Sequence, residues 1–237
     1  MLINPFISKK YLVIDDFGEM RNMIKGLLRT LGASDIDSAR NGVEALELIE
    51  ATPYDVILCD YNLGEGKNGQ QLLEEVRHRK MIDLSAVFIM ITAENTRDMV
   101  MAAVEYEPDS YLSKPFNKEL LGTRLTKLFE LKHSLLPLYD ALKRNDYQRA
   151  LAWLEKTIAS KPKNLPYLIR LRADICYDAD QIEQAGKYYR QILSAREVPW
   201  ARLGLGKVLY HEKNYAEATE TFQYLIQHSP TLMSAYD

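Results

Sequence analysis

The stretch Tyr11-Leu12-Val13-Ile14-Asp15-Asp16 decides the fold: four apolar residues in a row, then two carboxylates. The pattern returns at Val56-Ile57-Leu58-Cys59, which ends in Asp60, and at Ala86 to Ile91, which ends in Thr92. A short, continuously apolar run bounded by polar residues reads as a strand buried on both faces, as in a parallel sheet. Between the runs the spacing turns helical. Met20, Met23, Ile24, Leu27, Leu28 and Leu31 fall on one face, and Gly32 ends that helix. A weaker strand signal surrounds Ile36, and Gly42 to Glu50 is helical through Val43, Leu46 and Ile49. Leu72, Leu73 and Val76 belong to a helix, and Asp98 to Tyr106 reads as another. Tyr111-Leu112 is a minimal strand, and Asn117 to about Leu131 is a last amphipathic helix. Five strand signals interleaved with five helix signals predict an α/β fold with helices on both faces of a parallel sheet.

In such sheets ligands bind outside the carboxyl ends of the strands. Asp15, Asp16, Asp60, Thr92 and Lys114 all lie just past a strand, so they are expected to share one edge. Three close carboxylates repel, and a hard cation with oxygen ligands relieves that repulsion. Mg²⁺ suits such a site because it retains waters and leaves room for phosphate. One carboxylate can then act as nucleophile and form an aspartyl-phosphate. The lysine neutralises phosphoryl charge, and the threonine hydroxyl hydrogen-bonds a phosphoryl oxygen.

With Tyr111 in the fifth strand and Lys114-Pro115 after it, residues 8–131 resemble the receiver domain of bacterial two-component response regulators. The resemblance implies a flavodoxin-like, doubly wound five-stranded sheet. It implies that Asp60 is the phosphoacceptor for a sensor histidine kinase or phosphotransfer protein. It implies Mg²⁺ on Asp15, Asp16, Asp60 and the backbone carbonyl of Asn62, with Thr92 and Tyr111 as a switch pair. Two features depart from the family pattern. No Met-Pro follows Asp60, and the expected loop glycine, Gly69, comes nine residues on rather than eight. Glu107-Pro108 stands where Gly-Ala is usual before the fifth strand. Asn62 and Glu94, each two residues beyond a site residue, occupy positions that tune phosphoryl loss in the family. The pair resembles that of the chemotaxis regulators, whose phosphoryl groups are short-lived.

From about Ser134 the strand signals stop and the sequence repeats. Asn145 to Ala150, Asp180 to Ala185 and Asn214 to Ala218 align, with steps of 35 (150 to 185) and 33 (185 to 218) between the alanines. A large apolar residue follows each alanine by four: Leu154, Tyr189, Phe222. Pro162 and Pro230 each follow an alanine by twelve, Glu197 stands at the matching place of the second repeat, and Leu205-Gly206 precede the third. A helix-turn-helix unit with a period near 34 is the tetratricopeptide pattern. Residues 132–237 therefore resemble about three TPR repeats, with Thr231 to Asp237 reading as a fourth cut short. Stacked repeats expose a groove for a protein or peptide. The tyrosines of this half are expected mainly between helices. Few Pro, Gly or Ser residues lie between the last receiver helix and the first repeat, which points to a short, stiff junction.

The 237-residue chain carries net charge −3, with 15 Lys+Arg against 21 Asp+Glu up to Leu131 and 15 against 12 beyond it. That is no nucleic-acid footprint. No apolar run is long enough to span a bilayer, and no secretory leader is evident. Cys59 and Cys176 are expected as buried thiols in a cytoplasmic protein. His211 and His228 have no partner at metal spacing and are expected at the surface. Pairing of two copies is left open. Two other readings remain at this point: a constitutive scaffold with a non-switching receiver, and the regulatory part of a longer protein.

Overall fold

The computed structural model describes residues 4–93 and 108–228. Glu94 and the helix expected over Asp98 to Tyr106 lie outside the described residues. The chain divides into two compact units, the first closing at Leu135 and the second opening at Leu136.

The first unit contains β1 (Lys10–Ile14), α1 (Gly18–Leu31), β2 (Asp35–Ala39), α2 (Gly42–Ala51), β3 (Val56–Asp60), α3 (Gly69–His78), β4 (Val87–Thr92), β5 (Ser110–Ser113) and α4 (Lys118–Ser134). The strands form one parallel sheet in the order β2-β1-β3-β4-β5. Alternate side chains enter two cores. Leu12, Ile14, Ile57, Cys59, Phe88 and Met90 pack under α2 and α3. Tyr11, Val13, Val56, Leu58, Ile89 and Ile91 pack under α1 and α4. Both faces are covered, so the central strands are apolar throughout rather than alternating, as their sequences indicate. Gly32 ends α1 at φ 110°, a left-handed backbone that a side chain would resist. α4 runs three residues past its expected end near Leu131. Its last turn is held by Lys132, which is buried, donates to the Leu84 carbonyl at 3.0 Å and pairs with Asp109 at 2.8 Å.

The second unit has six helices among the described residues: α5 (Leu136–Lys143), α6 (Tyr147–Ala159), α7 (Leu165–Asp178), α8 (Ile182–Ala195), α9 (Pro199–His211) and α10 (Tyr215–His228). Successive helices of this unit pack on one another. This all-helical architecture is consistent with a helical repeat domain. The turns inside the three successive pairs share one geometry. Asn145, Asp180 and Lys213 adopt φ of 55°, 59° and 62°, and lie 35 (145 to 180) and 33 (180 to 213) residues apart. In each turn the next amide donates back to a helix carbonyl at 2.9 Å: Asp146 to Ala141, Gln181 to Cys176, Asn214 to Leu209. Ala150, Ala185 and Ala218 are buried at equivalent places. Tyr139 and Tyr189 are buried, Tyr189 in a core shared by several helices, while Tyr210, Tyr215 and Tyr224 are exposed.

Helix crossings in this unit depend on small residues. A Cβ at Gly204 would stand 2.4 Å from the Tyr189 ring, and one at Gly206 would stand 2.5 Å from Phe222. Tyr189 cannot yield easily, because it is 3% exposed and its hydroxyl donates to Asp174 at 2.8 Å. Gly204→Ala is expected to destabilise this unit by about 1–2 kcal/mol, overpacking outweighing the ~1 kcal/mol gain in helix propensity. Trp153 and Trp200, the only two tryptophans, both lie here, so urea unfolding read by tryptophan fluorescence reports this unit alone. A midpoint at or above wild type would show that the ring moves aside.

Candidate active site

The strand order reverses at β1, which lies between β2 and β3. A crevice opens at such a switch point, and the acidic residues lie there. Asp15 and Asp16 follow β1, and Asp60 is the last residue of β3. Carboxylate oxygens of the three lie within 4.8 Å of one another. Asp15 is fully buried and Asp60 is 6% exposed. Asp15 Oδ1 accepts from the Phe17 amide at 2.8 Å. Asp16 Oδ1 is buried with no hydrogen-bond partner.

Lys114 reaches this group from the far end of β5. Its Nζ stands 2.9 Å from Asp15 Oδ2 and 2.9 Å from Asp60 Oδ2. Its own amide donates to the Thr92 carbonyl at 2.7 Å, which ties the start of the β5–α4 connection to the end of β4. Thr92 is 1% exposed and follows Ile91, the register partner of Asp60. Tyr111 pairs in register with Met90 and packs against the core under α2 and α3. Asn62 is exposed in the loop after Asp60.

That loop accommodates its nine-residue spacing. Gly64 and Gly66 take φ of 74° and 98°, and the loop closes with the Gly69 amide on the Tyr61 carbonyl at 2.8 Å. A Cβ at Gly69 would stand 2.3 Å from the Asp60 carbonyl oxygen, so only glycine lets α3 start there. Pro108 is buried ahead of β5, and Glu107 lies outside the described residues.

Burial pushes the Asp60 carboxyl above the ordinary carboxylate range, and the negative charge of Asp15 adds to this. The Lys114 hydrogen bond and charge oppose it. Burial works to lower the Lys114 ammonium, but its bonds to Asp60 and Asp15 prevail and hold it above the usual lysine value.

Two charged residues, one bracing the acidic turn and one tying elements of the receiver together, were not legible in the sequence. Arg21 Nη1 donates to the carbonyls of Asp15 (2.6 Å) and Asp16 (3.1 Å), bracing the acidic turn from α1. Asp109, just before β5, accepts from the Phe88 amide at 2.8 Å and pairs with Lys132 and Arg77. Neither lies in a recognisable motif. Only the faces their helices and strands present bring them there.

A family model for the response regulator receiver domain matches residues 11–126. The chemotaxis protein CheY of Pseudomonas aeruginosa is 36% identical over 121 residues, which span 51% of this chain and 96% of that protein. The chain belongs to the response regulator receiver family. The receiver is also 35% identical to the chemotaxis protein CheY-3 of Vibrio cholerae, over 52% of this chain and 93% of that protein. Among solved structures, it resembles the response regulator TrrA of Thermotoga maritima in complex with Mg²⁺ and BeF. The identity there is 32%, over 51% of this chain and 98% of that one, with a TM-score of 0.43. The match to the family model ends at Thr126, ahead of the helical unit.

Asp60 is expected to cost the receiver stability. Its folded pKa is raised, so its contribution is fully present below the ordinary carboxylate value and is lost as pH rises through the raised value. At neutral pH the buried charge is a net penalty. Asp60→Asn is therefore expected to raise the Tm of the receiver by about 3–6 °C at neutral pH in chelator. The gain should shrink as the pH falls into the carboxylate range. Melts followed by far-UV circular dichroism check this, and a lower Tm in the variant would contradict it.

Proposed function

We propose that this protein is a phosphorylation-controlled adaptor of a two-component pathway. Asp60 accepts a phosphoryl group from a sensor histidine kinase or phosphotransfer protein, and the helical unit, read as TPR repeats, holds a protein or peptide partner. The observation that carries this reading is the Lys114 ammonium, 2.9 Å from the buried Asp15 and Asp60 of the acidic cluster.

The donor set fits a divalent cation. It offers only oxygens, three carboxylates lie together, and one buried oxygen of Asp16 has no hydrogen-bond partner. Mg²⁺ held by Asp15, Asp16, Asp60 and the Asn62 backbone carbonyl would supply neutralising charge for the transferring phosphoryl oxygens. Asp60 provides the nucleophile. Its carboxylate oxygen forms the bond to phosphorus as the bond from phosphorus to the donor histidine nitrogen breaks. Lys114 then leaves its pairing with the Asp60 oxygen to follow the new negative charge. Thr92 donates its hydroxyl to a phosphoryl oxygen, and Tyr111, one strand over, repacks as Thr92 moves. The phosphoryl group adds about −1.5 to −2 charge. Asn62 and Glu94 are assigned to tuning its loss to water.

Incubation with acetyl phosphate, with and without Mg²⁺, tests the reading. Intact-mass analysis is expected to show one Mg²⁺-dependent phosphoryl adduct on wild type and none on Asp60→Ala. An adduct on both proteins, or none on a folded wild type, would overturn it.

A further inference from the structure

Among the described residues of the helical unit, Arg170, Arg172 and Arg202 are stacked on aromatic rings. Arg170 lies 4.9 Å from the Trp200 ring centroid, Arg202 lies 4.3 Å from that of Tyr224, and Arg172 lies 3.9 Å from that of Tyr188. Two of the three hold a carboxylate of this chain. Arg202 grips both oxygens of Glu197 at 2.6 Å, and Arg170 lies 3.6 Å from Asp174. Arg172, the closest-stacked of them, has no ion-pair partner among the described residues. Its Nε is buried and makes no hydrogen bond.

Arg172 also lines a cleft of about 700 Å³ between α6, α7 and α8. Leu151, Cys176 and Ile182 supply apolar walls, and Tyr188 is the wall on which the guanidinium rests. A stacked guanidinium has already given up its rotamer freedom and presents its N–H fork in a fixed plane, the geometry that a carboxylate accepts. The acids at the rim do not fill this role. Glu183 is taken by Lys187 at 2.7 Å, Asp180 faces His211 at 3.5 Å, and Glu155 is not within ion-pair reach of Arg172.

We propose that this cleft is a docking site for an acidic side chain of a partner protein. One Asp or Glu of an extended peptide enters to meet the terminal nitrogens of the Arg172 guanidinium, and its neighbours lie on Leu151 and Ile182. The uncompensated Glu155 at the rim selects a single acid flanked by neutral or basic residues over a run of acids. The inference names the chemistry of the partner that the proposed adaptor role requires, but it rests on the helical unit alone. It therefore stands or falls independently of Asp60 phosphorylation.

The test uses the full chain. In ¹⁵N-labelled protein, the Arg172 Nε–Hε signal, assigned by its loss in Arg172→Gln, is followed during titration with N-acetyl-glutamate amide, N-acetyl-glutamine amide and inorganic phosphate. A saturable shift with the glutamate compound and none with the glutamine compound is expected. In parallel, peptides selected from a random display library on wild type are expected to share one Asp or Glu. They should lose affinity at least about tenfold on Arg172→Gln, and partly on Arg172→Lys, which keeps the charge but not the fork. Equal shifts from acid and amide, a response to phosphate alone, or selected peptides insensitive to both variants would overturn the proposal. Because the titration uses wild type, a folding defect in a variant cannot mimic a negative result.

Discussion

Lys114→Ala is expected to slow phosphorylation by acetyl phosphate by about 10²–10³-fold while leaving the Mg²⁺ requirement intact. The lysine is the cation that meets both Asp15 and Asp60, at 2.9 Å each. All three carboxylates remain in the variant, so its oxygen donor set is unchanged. The charge developing on the transferring phosphoryl oxygens loses its protein counter-ion. Removing one partner of a buried ion pair also leaves the other uncompensated, which typically costs about 3–5 kcal/mol. Here part of that loss is expected to be recovered by adding Mg²⁺. The Tm gain on adding Mg²⁺ should therefore be larger in Lys114→Ala than in wild type. Single-turnover labelling and melts at several Mg²⁺ concentrations measure both effects. A labelling rate within a few-fold of wild type would remove Lys114 from the chemistry.

The second large effect lies away from the acidic cluster. Asp109 joins three elements, accepting from the Phe88 amide in β4 and pairing with Arg77 in α3 and Lys132 in α4. Asp109→Ala takes away the carboxylate 2.8 Å from Lys132, which is 5% exposed, and leaves Asp83 as the acid still acting on it; it is expected to destabilise the receiver by up to about 3–5 kcal/mol. The pH dependence gives a signature. Burial lowers the Lys132 pKa from the ordinary lysine value even with Asp109 in place. In the window between that lowered value and the ordinary one, the unfolded chain binds more protons than the folded chain, so this lysine's contribution to stability improves as pH rises. Without Asp109 the lowering is greater. The deficit of the variant should therefore be largest near neutral pH and shrink under alkaline conditions. Urea unfolding followed by far-UV circular dichroism measures it, since the receiver contains no tryptophan. A deficit that does not change with pH would place the loss in the Phe88 hydrogen bond instead.

The strands were legible because burial on both faces leaves no room for polar residues, and a run such as Val56 to Cys59 admits few other readings. Gly69 was legible as the glycine of an unusual loop, and the clash of any Cβ with the Asp60 carbonyl gives its reason. The repeat was legible from its alanines, and the left-handed residues Asn145, Asp180 and Lys213 mark the same period in the backbone. Cys59 and Cys176 are buried and free, as their isolation indicated. His211 and His228 have surface partners, Asp180 and Tyr224. α4 continues to Ser134, and its last turn buries Lys132 against Asp109, a pairing between residues that local spacing does not link.

The sequence by itself determined the α/β fold, the set of residues past the strand ends and the period of the helical half. Each of these rests on local spacing, which burial imposes on neighbouring residues. Only the tertiary structure decided which charges meet. Lys114 reaches Asp60 across 54 residues and Asp15 across 99. Lys132 is a buried cation with Asp109 folded against it, and among the described residues Arg172 has no ion-pair partner while Arg170 and Arg202 find theirs. Such pairings depend on which helix faces which strand and at what register, and chain spacing carries no record of that.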